Sequence, residues 1–196
     1  MKKAFVIIDN GHGAETPGKC SPDGQLKEWA WTRQAAKALA AELKRRGIGS
    51  TLLVSEARDV PLRERVRAAN EISRLHDNAV LVSLHTNASR SDGRWGDACG
   101  WSVFTAPGAS EKSRRLARLL YEEACARYLK GNRSTPAEGY WTASLAMCRD
   151  TVCPAVLTEN LFHDHAGDAA FLLSSEGLRC IVELHADAIE KYYATL

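Results

Sequence analysis

Ala79-Val80-Leu81-Val82-Ser83-Leu84-His85 is a nearly unbroken apolar run that ends on an imidazole. Its length suits a strand. Its lack of in–out alternation suits a strand buried on both faces, as at the centre of a parallel sheet. Strand and helix patterns alternate to either side of it. Upstream, Ala4–Ile8 is a short β-rich run. Glu28–Arg46 carries Thr32, Ala36, Leu39, Ala40 and Leu43 at helical spacing, with Gly47 as the stop. Ser50–Ser55 reads as a strand, and Leu62–Leu75 as a helix with Leu62, Val66, Ala69 and Ile72 on one face and Pro61 at its first turn. Downstream, Gly100–Thr105 is a strand, Ser110–Leu129 a helix that Ser110 caps, Ala155–Glu159 a short strand and Glu176–Tyr193 a closing helix. This β-α-β-α-β order predicts a single α/β domain, a three-layer sandwich with a mostly parallel central sheet.

Composition supports that reading. A chain of 196 residues fits one domain, and 45% hydrophobic with 26% charged residues excludes a disordered chain. The 26 basic and 24 acidic residues nearly cancel, so no global pull toward nucleic acid or an anionic membrane is expected. No apolar run approaches the about 18 residues of a membrane span. Met1-Lys2-Lys3 before Ala4–Ile8 imitates the start of a secretory signal, but the apolar run is too short and no cleavage site follows. No signal peptide is therefore read. None of the six cysteines forms Cys-x-x-Cys, which argues against a zinc ribbon, a thioredoxin-type site or a disulfide framework. Free thiols fit a chain that matures in a reducing compartment, and Cys125 and Cys180 are expected in or near the core.

Ligands of such sheets bind beyond the carboxyl ends of the strands. Three predicted strands end on polar, chemically capable residues: Asp9-Asn10-Gly11-His12-Gly13, His85-Thr86-Asn87 and Glu159. Glu28 opens a helix on the face shared with Thr32, Ala35 and Leu39, which points at the sheet. A carboxylate buried there needs a partner. His12, Glu28 and His85 together are a ligand set for a catalytic zinc with an open fourth position. Taken singly, each has a plainer reading: a buried histidine is commonly a satisfied core or cap residue, and a glutamate in a first turn a dipole partner. His185 lies on the apolar stripe of the last helix and is expected to pack in the core. His76 and Lys44-Arg45-Arg46 suit solvated helix ends. Trp95, Trp101, Tyr140 and Trp141 lie in or near loops, either to stack on sugar rings or as ordinary half-buried aromatics.

The segments Ile8–Gly13, Glu28, Arg63–Asn70, Ser83–Asn87 and Pro154–Glu159 occur in this order. Together they resemble the zinc-dependent N-acetylmuramoyl-L-alanine amidases of the Amidase_3 type, found in bacterial cell-division amidases and phage endolysins. The resemblance spans nearly the whole chain. It implies a phosphorylase/hydrolase-like fold, Zn2+ held by His12, Glu28 and His85, and Glu159 as the catalytic carboxylate. It implies peptidoglycan as the partner and the amide between N-acetylmuramic acid and L-alanine as the bond cut. Asp9 and Asn87 are then expected to orient the imidazoles. Arg149, in Met147–Pro154, is expected to bind a substrate carboxylate.

Two departures stand out. Leu161 replaces a glycine of the family pattern, and His165 stands about where an asparagine is usual. His163 and His165 are expected to line the cleft rather than to hold a second metal. Thr105–Ala155 lacks the long blocking insertion of regulated division amidases, and no separate wall-binding module is read. A single catalytic domain over 1–196, a monomer, is expected. It would act at the bacterial cell wall after export, phage-type release or removal of a signal. The competing readings are a catalytically silent peptidoglycan-binding module and a zinc peptidase or deacylase on another amide.

Overall fold

The computed structural model describes residues 4–196, and the basic start Met1-Lys2-Lys3 lies outside the described residues. The chain runs β1 (Phe5–Asn10), α1 (Glu28–Arg45), β2 (Gly49–Leu52), α2 (Leu62–Arg74), β3 (Ala79–Asn87), β4 (Ser102–Thr105), α3 (Glu111–Ala126), β5 (Trp141–Thr142), α4 (Ala146–Arg149), β6 (Ala155–Phe162), α5 (Ala166–Leu173) and α6 (Ser175–Ala194). The strands form one sheet in the order β2-β1-β3-β6-β4-β5. β1 pairs with β2 and β3 in parallel, as does β3 with β6, whereas β4 runs antiparallel to β6. The expected mostly parallel, three-layer α/β sandwich is what forms.

The central run explains the layering. Val80, Val82 and Leu84 of β3 join Val6 and Ile8 of β1 in a core closed by α1, α3, α5 and α6. Leu81 and Ile7 face the other way, against Ala69 of α2 and Met147 of α4. Each such side chain contributes on the order of 1.5–3 kcal/mol by leaving water, so a strand apolar on both faces is held in the middle.

The strand ends differ from expectation in an instructive way. β1, β3 and β6 continue to Asn10, Asn87 and Phe162, past the last residues of their apolar runs. The polar residues that interrupt the pattern are buried or half-buried and keep the strand pairing, with Asp9 opposite Ser83 and Glu159 opposite His85. α5 is unforeseen because it is short and is capped by His165, an unusual N-cap whose Nδ1 accepts from Asp168 N at 3.1 Å. β5 and α4 are too short to show a period. Ser110 does cap α3, its Oγ accepting from Ser113 N at 3.1 Å. Pro61 stands just before the first turn of α2, as its N-cap residue.

Two minor expectations are corrected. Cys125 is exposed, because the buried stripe of α3 runs through Leu116, Ala117, Leu120 and Ala124 and leaves it to one side. Arg46 is not a solvated end: it pairs with Glu42 of α1 and with Asp187 and Glu190 of α6. Arg127 joins the same network through Glu123 and Asp187. His76 stacks on Phe5, ring centroids 3.5 Å apart.

Candidate active site

Beyond β1 the chain turns through Gly11-His12-Gly13. A Cβ on Gly11 would lie 2.2 Å from Cε1 of His85, and one on Gly13 would lie 2.0 Å from the Asp59 backbone nitrogen. Only glycine fits either place. Between them His12 adopts φ 61°, a left-handed conformation that costs a non-glycine residue about 1–2 kcal/mol. Arginines from two helices hold it there. Arg33 Nη2 and Arg65 Nη2 donate to the His12 carbonyl at 3.0 and 3.3 Å, and Arg65 Nη1 donates to the Asn10 carbonyl at 2.7 Å. Asp9 and Asp59 accept from Arg65 in turn, at 3.1 and 2.9 Å.

Glu28 is the first residue of α1 and is fully buried. Its Oε1 accepts from Thr86 N at 2.9 Å and lies 3.1 Å from His85 Nδ1 and 3.6 Å from His12 Nε2. The two imidazole rings stand 5.0 Å apart at 89°. One donor atom of each of His12, Glu28 and His85 falls within 4.8 Å of the other two. Glu28 Oε2 is buried without a hydrogen-bond partner. A cation is the group that such an orphaned carboxylate oxygen, set beside two imidazoles, would satisfy, so the donor set fits a divalent metal.

The three groups differ in their electrostatics. Burial pulls the His12 imidazole down to about 4, keeping it neutral and able to ligate. Burial alone would raise Glu28, but His85, His12 and the Thr86 N–H outweigh it and hold the carboxylate well below its usual range. Burial also acts on His85, and there Glu28 outweighs it and raises the ring's pKa.

Glu159 faces His85 across the β3–β6 pairing. Directly paired residues project from the same face of a sheet, so the carboxyl is brought beside the His–Glu–His group. Burial pushes it up to about 7, and its Oε2 has no hydrogen-bond partner. Next to it, Asn160 Nδ2 donates to the His85 carbonyl at 3.0 Å while Trp101 Nε1 donates to Asn160 Oδ1 at 2.8 Å. The two strands are thereby tied together at the level of the site. A cavity of about 460 Å³ lined by Lys19, Arg90, Arg94 and His163 opens to one side, and one of about 350 Å³ lined by Asp9, His12, Asp59 and Arg65 to the other.

The remaining sequence candidates fall elsewhere. Asp9 accepts from Ser83 Oγ at 2.5 Å and from Arg65, and bonds neither imidazole; it anchors Arg65 instead. Asn87 Oδ1 accepts from Ala88 N at 2.9 Å, a local turn. Arg149 pairs with Asp150 and donates to Ser144 Oγ at 2.8 Å. It lines a depression with Ala79 and Pro154, at the amino ends of β3 and β6, so it lies at the opposite end of the sheet from His12. His163 is buried behind Glu28, Nδ1 3.9 Å from Glu28 Oε2 and 2.9 Å from Thr86 Oγ1. His165 serves as the α5 cap. Cys99, His165 and Asp168 also bring donor atoms within 4.8 Å. Two of the three already serve the backbone: Asp168 Oδ2 accepts from Gly100 N and Phe162 N, and His165 Nδ1 from Asp168 N. Leu161 holds φ 65°, which explains why a glycine is usual there.

Arg65 and Asn160 are the supporting residues that sequence reading missed. An arginine in an otherwise amphipathic helix and an asparagine within a strand are the signals that could have found them. Between Thr105 and Ala155 the described residues form only α3, β5 and α4.

An α/β sandwich with a His–Glu–His donor group and a buried carboxyl at the carboxyl ends of its strands fits the class of metal-assisted hydrolases. The sequence matches the family described as N-acetylmuramoyl-L-alanine amidase over residues 6–191, and the chain belongs to that family. It is 30% identical over 190 residues to the N-acetylmuramoyl-L-alanine amidase CwlM of Bacillus licheniformis, covering 96% of this chain and 68% of that protein. It is 28% identical over 187 residues to an endolysin of Bacillus phage SPP1, covering 94% and 64%. The catalytic domain of the amidase CwlV from Bacillus (Paenibacillus) polymyxa var. colistinus superposes with a TM-score of 0.81 at 25% identity, over all of both chains. Ami1 from Mycobacterium smegmatis shares the fold with a TM-score of 0.85 at 16% identity, over 100% and 99% of the chains.

Proposed function

We propose that this chain is a zinc-dependent amidase that hydrolyses the bond between the lactyl group of N-acetylmuramic acid and L-alanine in peptidoglycan. The observation that carries the reading is the donor group His12, Glu28 and His85 beside the buried carboxyl of Glu159. His12, Glu28 and His85 would hold the zinc. Bound there, zinc supplies Lewis-acid polarisation of the amide carbonyl and lowers the pKa of water toward about 7.

The chain's own part is proton handling and positioning. Glu159 takes one proton from the attacking water and returns it to the alanine nitrogen as the C–N bond breaks. The lactyl group leaves as a carboxylic acid and L-alanine as a free amine. A carboxyl held at about 7 by burial is matched to both transfers near neutral pH. The Gly11-His12-Gly13 turn and the Arg65 bonds keep the His12 ring facing Glu28, and Asn160 fixes the strand that carries His85. We place the reaction at the bacterial cell wall, performed by one catalytic domain over 1–196 acting as a monomer. No helix among the described residues is long and apolar enough to cross a membrane.

Glu159→Gln tests the reading. The variant is expected to bind one zinc per chain as the wild type does and to lose on the order of 10²-fold or more in turnover of purified peptidoglycan. Full activity in the variant would show that Glu159 is not the proton carrier.

A further inference from the structure

Arg133 lies half-buried in the loop between α3 and β5. Its guanidinium sits over the ring of Trp141 at 5.5 Å and over that of Phe162 at 5.6 Å from the centroids. Phe162 ends β6, three residues beyond Glu159, so the cation stands at the carboxyl end of the sheet on the β4–β5 side of the site. Two ring faces hold a long side chain in one place. Arg33, Arg46, Arg65, Arg127 and Arg149 all spend their guanidinium groups on carbonyls or carboxylates of the fold. Arg133 has neither an ion pair nor a hydrogen bond among the described residues.

An arginine fixed in place with its donors free is prepared for an anion from outside. The planar fork selects a carboxylate, which it can grip with two parallel bonds. The Glu159 carboxyl feels the positive charge of Arg133, which places the guanidinium beside the site. On the other wall, the half-buried Lys19 lines the cavity beside His163 and also makes no ion pair among the described residues.

We propose that Arg133 binds a carboxylate of the stem peptide, so that the enzyme prefers muramoyl peptides with a free carboxylate close to the L-alanine. This rests on the amidase reading above and adds a substrate class to it. The residue sets affinity and selectivity and takes no part in proton transfer.

The test compares muramoyl-L-alanyl-D-isoglutamate with its isoglutamine amide as substrates of the zinc-loaded full chain. The wild type is expected to favour the acid by about tenfold or more in kcat/KM, the gain of a charge-assisted bond over a neutral one. Arg133→Gln and Arg133→Met should remove that preference, with the loss on the acid substrate falling mainly on KM and exceeding the loss on the amide substrate by about tenfold. Arg133→Lys should restore part of it. Arg133→Met keeps apolar packing against both rings, so it guards against loss of the loop. Equal losses on both substrates, or no preference in the wild type, would overturn the proposal and leave the amidase reading standing. If neither compound is cleaved, the amidase reading has failed. Calorimetric binding of L-alanyl-D-isoglutamate against its amide then decides on Arg133 alone. Tighter binding of the acid that Arg133→Met abolishes supports the assignment, and equal affinities overturn it.

Discussion

Leu161 shows how one residue can carry two opposed demands. Its φ of 65° is a conformation that glycine adopts freely, and its side chain is nevertheless buried in the main core. Leu161→Gly would relieve about 1–2 kcal/mol of backbone strain and forfeit the burial of a leucine, worth about 3–5 kcal/mol in a core. The lost packing outweighs the relieved strain. The variant is expected to be about 2 kcal/mol less stable in urea unfolding, and a variant as stable as the wild type would mean that the side chain contributes little packing. The same residue marks what sequence could reveal. The departure from glycine was visible in the order Glu159-Asn160-Leu161-Phe162, but nothing in it disclosed that the backbone still turns left-handed there. His12, Glu28, His85 and Glu159 stood out as candidates because each follows an apolar run or opens a helix. Asp9 and Asn87 were misjudged because short polar side chains bond whatever is local, and Arg149 because a motif gives no direction along the sheet.

At the scale of elements, the apolar runs announced β1, β3 and β6 but stopped short of their ends, because the last residues of each strand are the polar ones that build the site. Helices with a full stripe, α1, α2, α3 and α6, were legible to within a few residues. α5 was hidden by its histidine cap. The α6–β6 contact carries a prediction of its own. His185 of α6 is buried with Nδ1 2.8 Å from the Ile181 carbonyl and Nε2 3.1 Å from Thr158 Oγ1 of β6. Burial, aided by Arg127, lowers its pKa from 6.5 to about 4. The folded ring stays neutral where the unfolded chain takes up a proton. Its contribution is therefore complete above about 6.5 and is lost as pH falls toward about 4. At the acid end the loss amounts to about 3 kcal/mol. Urea unfolding of the wild type and of His185→Gln at pH 7 and at pH 4 should show the stability difference between them shrinking by about that amount. A difference independent of pH would contradict the neutral buried ring.

Over the whole molecule, stability and chemistry occupy different places. The Arg46–Asp187–Arg127–Glu123 network ties α1, α3 and α6 together on the outside. These pairs are half-buried and clamp the helices at one edge, while the sandwich itself rests on its two apolar layers. The site rests on a few buried polar contacts at the carboxyl ends of β1, β3 and β6. Overall charge, near balance at +2, says nothing about the substrate. On the proposal above it is read locally, by Arg133 beside the donor group. The most direct measurement is mass spectrometry of the products released from purified peptidoglycan, before chelation, after it, and after return of zinc. Expected are peptides with a new free amine on L-alanine and glycan with intact muramic acid, formed only while about one zinc per chain is bound. Cleavage within the peptide or the glycan, or release of the same products from metal-free protein, would contradict it.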